Sequence, residues 1–432
     1  MDKERNYISL EGFQSIYPEE WAKRRKVCET VEGTLESFGF RGISPPSIER
    51  RDLYEVKPPW SEGLIGQTFS FVDKRNNRLT LIPEQTPTRA RMVQELEEVA
   101  LPIRWFNTSK RWRQEDVIKQ DRAREFWQTD ADVIGCGSVE TDAEVLACVA
   151  SIYRNLGLYG EVEILIGERK ILENILDCAG VDKRDYYTAV KIVDDIEKID
   201  KQEFIQRFQK LGLDMGKIES IIEAISVKGA FDEGIAQIGK TNGRIADKSL
   251  QILERLKRLS ALLRWYGIYD ICRLDLSVAR GSFYTGIIFE VSDKEKKFGA
   301  LSGGGRYDWL VGMYGKRDLP AIGFGFGHSG TIEMLKQCGL FDYKDQHRCF
   351  HVSCEEPAVD YAAAIELVGS LRKNGHRAVI DTGGGCHGHG HPTHRIILKK
   401  DFSPKHQVEV VCQDRSTLVV IDDLDSFSKK LN

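Results

Sequence analysis

Histidine is missing from the first 327 residues of this 432-residue chain, and all nine histidines fall at or after position 328. No imidazole base or imidazole metal ligand is available before that point. This excludes Ser-His-Asp catalysis and His-ligated metal chemistry from three quarters of the sequence. Long apolar runs are missing too, and none present is long enough to cross a bilayer. The opening MDKERNYISLEG holds no hydrophobic signal core. The ten cysteines are scattered without a C-x-x-C pair, so they read as reduced thiols of a cytoplasmic protein. There is no G-x-x-x-x-G-K-[ST] loop and no G-x-G-x-x-G after a strand, which removes the common glycine-rich phosphate cradles. Net charge is −4, so any nucleic-acid contact must come from a local patch rather than a general positive field.

What is present suits a soluble protein of roughly three domains with a large core. Val27, Val31, Leu35 and Phe38 mark one face of a helix that Gly39 ends, and Pro45-Pro46 extends the chain after it. TFSFVDKRNNRLTLI (68–82) predicts a hairpin turning at Asn76-Asn77. Two strands are expected at about 103–116 and 124–134, then a helix opened by a capping box of Thr141 and Glu144. Residues 168–265 lack strand alternation and predict helices. Strands return at 286–291 and at AIGFGFG (321–327), with the run Gly303-Gly304-Gly305 between them. Beyond about 345, CFHVSC, a helix over 359–373, RAVID, RIILK, VEVVC and TLVVID predict a small α/β domain.

The densest chemistry lies in KRWRQEDVIKQDRAREFWQ (110–128). Arg111, Arg113, Arg122 and Arg124 come in pairs spaced by two, so each pair shares a strand face. Guanidinium forks match phosphate oxygens bidentately, which lysines do not. Glu115 follows Arg113 at the same spacing and suits an exocyclic amine. Phe126 and Trp127 offer flat stacking surfaces. Together these predict a strand-borne nucleotide site, in competition with a plain solvated hairpin of alternating charge.

The chain resembles a class II aminoacyl-tRNA synthetase, and within that class the histidyl-tRNA synthetase family of archaeal and eukaryotic type. GFRGISPPSIE (39–49) is similar to the first motif, which builds a homodimer interface. LIPEQTPTRARM (81–92) resembles the segment holding the amino acid, with Glu84 and Thr86 on its α-amino group. RWRQE and FWQTDAD resemble the second motif. The resemblance implies that Arg113 contacts the α-phosphate and the histidine carboxylate, and that Glu115 reads adenine. It implies that Arg122, and with it Arg124, binds the outer part of ATP, that Phe126 stacks on adenine, and that Gln128 binds histidine. DLSVARGSFYTGIIFE (275–290) and SGGGRYD (302–308) resemble stretches peculiar to the histidine enzymes. They imply that Arg280 is a catalytic cation beside Arg113, and that Tyr284, Tyr307 and Asp132 line the histidine pocket. The implied partners are histidine, ATP with Mg²⁺, tRNA and a second copy of the chain, with no membrane.

The expected fold is α+β: an antiparallel sheet flanked by helices over 1–165 and 266–342, a helical insertion at 166–265, and an anticodon-binding-like α/β domain at 346–432. The sequence departs from the family pattern at several places. Gly330 stands where the third motif carries an arginine, and Lys316, Arg317 and Lys336 are the candidate replacements. RGSFYTG is one residue short, and Asp132 stands where a Glu is usual. GGGCHGHGHPTH (383–394) replaces a helix; Cys386, His387, His389, His391 and His394 are either a polar loop or a metal-binding set. These departures leave a second reading open, a histidine-binding relative without aminoacylation. It would be of the ATP phosphoribosyltransferase regulatory-subunit type, or a ligase with another acceptor.

Overall fold

The computed structural model describes residues 9–56, 64–98, 100–115, 123–240, 243–280, 283–341, 349–354, 357–380, 394–398, 406–412 and 415–421. Two compact units are formed, Met1–Phe341 and Asp342–Asn432.

In the first unit the short β1 (Arg41–Gly42) and β2 (Ile48–Arg50) follow the helix Pro18–Ser37, whose face Val27, Val31 and Leu35 is buried. Gly39, at φ +79°, turns the chain out of that helix in a backbone region that favours glycine. β3 (Ser70–Val72) and β4 (Arg78–Leu81) form the expected hairpin. Asp73 accepts from the Asn77 backbone at 2.8 Å to fix its turn. With β2 they make a three-stranded sheet. The main sheet has nine strands. β5 (Ile103–Trp112) and β6 (Glu125–Ile134) come from the arginine-rich region. β7 (Val162–Glu168), β8 (Lys228–Ala230), β9 (Cys272–Asp275), β10 (Ile287–Asp293), β11 (Ser302–Arg306) and β12 (Ala321–Gly327) complete it. Its order is β1-β5-β6-β12-β11-β10-β7-β9-β8. The six central strands, β5 to β7 in that order, pair antiparallel. β1 joins β5 and β9 joins β7 in parallel, so the sheet is mixed at its margins.

Strand alternation sends the two faces of this sheet to different uses. Ala131 and Val133 of β6, with Ile322, Phe324 and Phe326 of β12, join the core formed with the helices Pro18–Ser37, Val139–Asn155 and His328–Gln337. Gln128, Asp130 and Asp132 point the other way. The helix Val139–Asn155 is capped by Ser138, whose hydroxyl accepts from the Thr141 backbone at 3.2 Å. The expected pairing of Thr141 with Glu144 is therefore replaced by one that starts three residues earlier. Glu144 instead takes an ion pair from Arg104 at 2.6 Å.

The region 168–265 is helical, as its pattern predicts: Arg169–Ala179, Tyr186–Asp194, Lys201–Gln209, Met215–Ile225, Phe231–Ile238 and Gly243–Trp265. β8, only three residues long, was too short to show alternation in the sequence. Glu168 ends β7 and caps the first of these helices through the Lys170 amide at 3.3 Å. Burial pushes its carboxyl up to about 7, against the pull of that amide. The folded state thus keeps a proton that the unfolded chain sheds above about 4.5. The stability this gives is full below that point and is lost as pH rises through 7. Glu168→Gln keeps the capping oxygen without the buried charge. It is expected to be more stable than the parent by about 1–3 kcal/mol near pH 8, with the gap closing near pH 4.5. Urea midpoints at the two pH values check this; equal midpoints near pH 8 would refute it.

The second unit is a five-stranded sheet of order β14-β13-β15-β16-β17. Its strands are β13 (Cys349–Cys354), β14 (Arg377–Ile380), β15 (His394–Leu398), β16 (His406–Cys412) and β17 (Arg415–Ile421). The helix Pro357–Lys373 buries Ala364, Leu367, Val368 and Leu371 against Phe350, Val352 and Ile396. Cys386, His387, His389 and His391 lie outside the described residues.

Candidate active site

The polar face of the main sheet holds a cavity of about 520 Å³, within the range of small-molecule sites. Glu84, Thr86, Arg113, Glu115, Phe126, Gln128, Asp132, Arg280, Tyr284 and Tyr307 all line it. These ten come from five separate sequence segments and line one cavity. Arg122 lies outside the described residues. Arg124 is not among the lining residues: its stem lies against Gly12, and its Nε donates to the Glu115 carbonyl at 3.2 Å.

The paired arginines of β5 separate. Arg111 is fully buried, ion-paired with Asp130, and donates to the Lys110 carbonyl at 2.9 Å. β5 ends at Trp112, so the two-residue alternation does not carry through to Arg113. Arg113 donates Nε to the Pro83 carbonyl at 3.0 Å and stands 3.3 Å from Glu84. Its guanidinium also lies 5.2 Å from the Phe126 ring centre. The hairpin's other face carries the ordinary surface charge that the bland reading expects, with Lys110 and Trp112 holding Glu125 at 2.7 and 2.8 Å.

One end of the cavity is a network of buried charge. Arg89, 2% exposed, ion-pairs with Asp132 and donates to Asn107 at 2.9 Å. The Tyr307 hydroxyl donates to Asp132. Burial pushes the Asp132 carboxyl up to about 6 even though Arg89 and that hydroxyl favour its charge. Burial also raises Asp130, but Arg111 and Arg89 outweigh it and hold that carboxyl below its usual range. Gln128 donates to Asp130 at 2.7 Å. Glu84 accepts from the Thr86 hydroxyl at 2.8 Å. Arg280 lines the cavity as well, its Nε 2.6 Å from Glu290. Its backbone is held from behind by Arg169, which donates to the Ala279 and Arg280 carbonyls at 2.7 and 2.9 Å.

The glycine strands form the floor. Gly303 pairs with Gly325 and Gly305 with Gly323 across β11 and β12. A Cβ at Gly305 would stand 2.8 Å from the Tyr284 ring, one at Gly325 2.7 Å from the Gln128 amide, and one at Gly303 2.6 Å from Arg280. At Gly323 it would drive into Asp132 and stand 2.8 Å from the Tyr307 hydroxyl. The side chains of Tyr284, Gln128, Arg280 and Asp132 therefore lie against a strip that has no side chains of its own. Sequence reasoning had read these glycines only as a pattern. It also passed over Arg89, Asp130 and Gln67, which line the cavity too. The alternation G-x-G-x-G in AIGFGFG was the available signal, since period two puts its glycines on one face.

The candidate replacements for an arginine at 330 do not supply one. Arg317 donates to the carbonyls of Val93, Gln94, Leu96 and Glu97 at the end of the helix Thr86–Glu95. Lys336 pairs with Glu20 at 3.2 Å and Glu333 at 2.9 Å. Neither these two nor Lys316 lines the cavity.

An antiparallel sheet with helices packed on one face, and arginines, carboxylates and tyrosines gathered over a glycine floor on the other, is the catalytic fold of a class II aminoacyl-tRNA synthetase. The family model described as histidyl-tRNA synthetase matches residues 12–329. The chain belongs to the histidyl-tRNA synthetase family. It is 36% identical over 339 residues to the histidine–tRNA ligase of Thermoplasma volcanium, covering 77% of this chain and 75% of that one. It is 34% identical over 375 residues to that of Picrophilus torridus, covering 86% and 85%. The solved histidyl-tRNA synthetase of Nostoc shares the fold at TM-score 0.79 and 20% identity, over 99% of this chain and 100% of that one. So does a Bacillus halodurans protein described as an ATP phosphoribosyltransferase regulatory subunit/histidyl-tRNA synthetase. There the TM-score is 0.73 and the identity 22%, over 89% and 95% of the two chains.

Proposed function

We propose that the chain joins histidine to tRNA by way of a histidyl-adenylate made from ATP. The observation that supports this is the shared cavity, which Glu84, Thr86, Tyr284 and Tyr307 line together with Arg113 and Arg280. Glu84 and Thr86 would take the α-ammonium group. Tyr307, Asp132, Gln128 and Tyr284 would surround the imidazole, whose two nitrogens need one donor and one acceptor in the neutral form. The histidine carboxylate then attacks the α-phosphorus of ATP. One P–O bond forms, the bond to pyrophosphate breaks, and the electron pair leaves with pyrophosphate. No side-chain base is required. Arg113 and Arg280 stabilise the charge that builds on the phosphoryl oxygens, and alignment of attacker and leaving group does the rest. Phe126 would face the adenine ring and Glu115 its amine. In the second step a ribose hydroxyl of tRNA attacks the activated carbonyl, the bond to AMP breaks, and the hydroxyl proton leaves on the AMP phosphate. Mg²⁺ belongs to the nucleotide substrate, where it offsets charge on the outer phosphates.

A homodimer through 39–49 belongs to the same reading. Exposed Ile48, Phe71 and Val72 on the three-stranded sheet supply apolar surface for it. Among the described residues no helix is long and apolar enough to span a membrane, and we place the enzyme in the cytoplasm.

Histidine-dependent exchange of labelled pyrophosphate into ATP tests the reading, followed by aminoacylation of tRNA. One observation favours the alternative: Gly330 brings no side chain to the nucleotide end of the cavity. Histidine binding by calorimetry with no exchange above background would select a histidine-sensing relative. Exchange without charging of tRNA would select another acceptor.

A further inference from the structure

The connection from β9 to β10 carries two groups with separate tasks. In the proposed reading Arg280 meets the phosphoryl charge and Tyr284 borders the imidazole, and both line the cavity. One residue that is not among the described lining residues holds this connection at two points. Arg169 directly follows β7, which pairs with β10 from Glu168 opposite Ile287 to Val162 opposite Asp293. Its backbone N–H donates to the Gly286 carbonyl at 2.9 Å, just beyond the last of those pairs. Its Nη2 donates to the Ala279 and Arg280 carbonyls at 2.7 and 2.9 Å. Arg280 and Tyr284 thus lie between two anchor points supplied by a single residue.

The packing around Arg169 makes that anchor firm. It is the first residue of the helix Arg169–Ala179, whose N-terminus Glu168 caps. Two residues earlier, a Cβ at Gly167 would drive into the Val278 carbonyl and stand 3.2 Å from that of Asp275. The missing side chain lets the connection settle onto the end of β7, within reach of the guanidinium. Arg169 is 2% exposed, and a buried cation is costly unless its donors are met. Carbonyls that meet it form charge-assisted bonds, stronger than those between neutral groups. Arg280 has its other anchor in Glu290, which stands opposite Leu165 of β7. Backbone and side chain of Arg280 are therefore both referred to the same pair of strands. Tyr284 feels Arg169 as well: burial raises its hydroxyl, and Arg280 and Arg169 pull it back.

We propose that Arg169 is a positioning residue for both halves of the site, a clasp that sets Arg280 for the phosphoryl charge and Tyr284 for the imidazole. It acts through these two and touches neither substrate. This deepens the proposed function and rests on it.

The test measures pyrophosphate exchange and calorimetric histidine binding in the full chain, with Arg169 altered alone and together with Arg280→Gln. Thermal unfolding shows which variants are folded. Arg169→Gln is expected to lower the kcat of exchange about ten- to hundredfold, as a misaimed Arg280 would, and to weaken histidine about tenfold. Arg169→Met fills the same place without donors and is expected to behave alike, so the comparison stands if either variant folds. Because Nη2 alone meets both carbonyls, the ammonium of Arg169→Lys can replace it, and a loss of about threefold or less is expected. In the Arg280→Gln background, Arg169→Gln is expected to cost less than about threefold more in kcat, since the group it aims is already gone. An equal fall in both backgrounds overturns the inference. So does an unchanged kcat in folded Arg169→Gln, where a lower unfolding midpoint alone would mark a purely structural role. If the unaltered chain shows no histidine-dependent exchange, the proposed function fails on its own account. Histidine binding then decides for Arg169, and unchanged affinity in Arg169→Gln overturns the clasp.

Discussion

Arg280→Gln is expected to slow histidine-dependent pyrophosphate exchange by about a hundred- to a thousandfold, the usual effect of removing one preorganised donor from a transition state. The expectation rests on placement. Arg280 lines the same cavity as Arg113, and its Nε is fixed by Glu290 at 2.6 Å. Its backbone is pinned by Arg169 from behind. One edge of the guanidinium is thus used for aim, leaving the other for the phosphoryl oxygens. Glutamine keeps some hydrogen-bonding capacity but neither the charge nor the fork. The loss should fall on kcat rather than on histidine affinity, because the charge it meets develops during the reaction. Glu290→Gln leaves Arg280 in place but loosens its aim, and a smaller loss of about tenfold is expected. Steady-state exchange kinetics with calorimetric histidine binding separate these outcomes. A near-normal kcat for Arg280→Gln would remove Arg280 from the chemistry.

Gly323→Ala is expected to lower histidine affinity by about a hundredfold or more. Overpacking costs about 1–3 kcal/mol, and breaking a buried hydrogen bond costs a similar amount again. The added methyl would meet the Asp132 carboxyl and stand 2.8 Å from the Tyr307 hydroxyl. Both groups belong to the network with Arg89, so neither can move without unpairing a buried charge. Gly325→Ala is the control. Its methyl meets the Gln128 amide at 2.7 Å, the far end of a flexible side chain rather than a buried ion pair, so the expected loss is about tenfold or less. Calorimetry with histidine reads both, with thermal unfolding to confirm the fold. Equal affinities for Gly323→Ala and the parent would show that the Asp132–Tyr307 arrangement does not bind the imidazole.

Much of the site could be read from the chain because its residues sit in short, ordered segments. Arg113 and Glu115, Phe126 and Gln128, Tyr284 and Tyr307 were each found from local spacing and resemblance, and all line one cavity. What failed was finer. Arg111 looked equivalent to Arg113 because strand period two continues on paper. The strand ends between them, and Asp130 claims Arg111. The helix cap shifted from Thr141 to Ser138 because several hydroxyls compete for the same amides, and only backbone geometry chooses. Arg317 looked available as a cation, yet the end of a helix 220 residues earlier in sequence takes it by its carbonyls.

The sequence by itself determined which elements form, through hydrophobic period and turn residues. It also determined which chemical groups are on offer, including the absence of histidine from the first 327 residues. Those properties are local, so a linear reading reaches them. Only the tertiary structure decided which charges are spent on the fold and which face the cavity, because pairing depends on neighbours far away in sequence. It turned the glycine runs into a floor and committed Arg89 and Arg111 to buried partners.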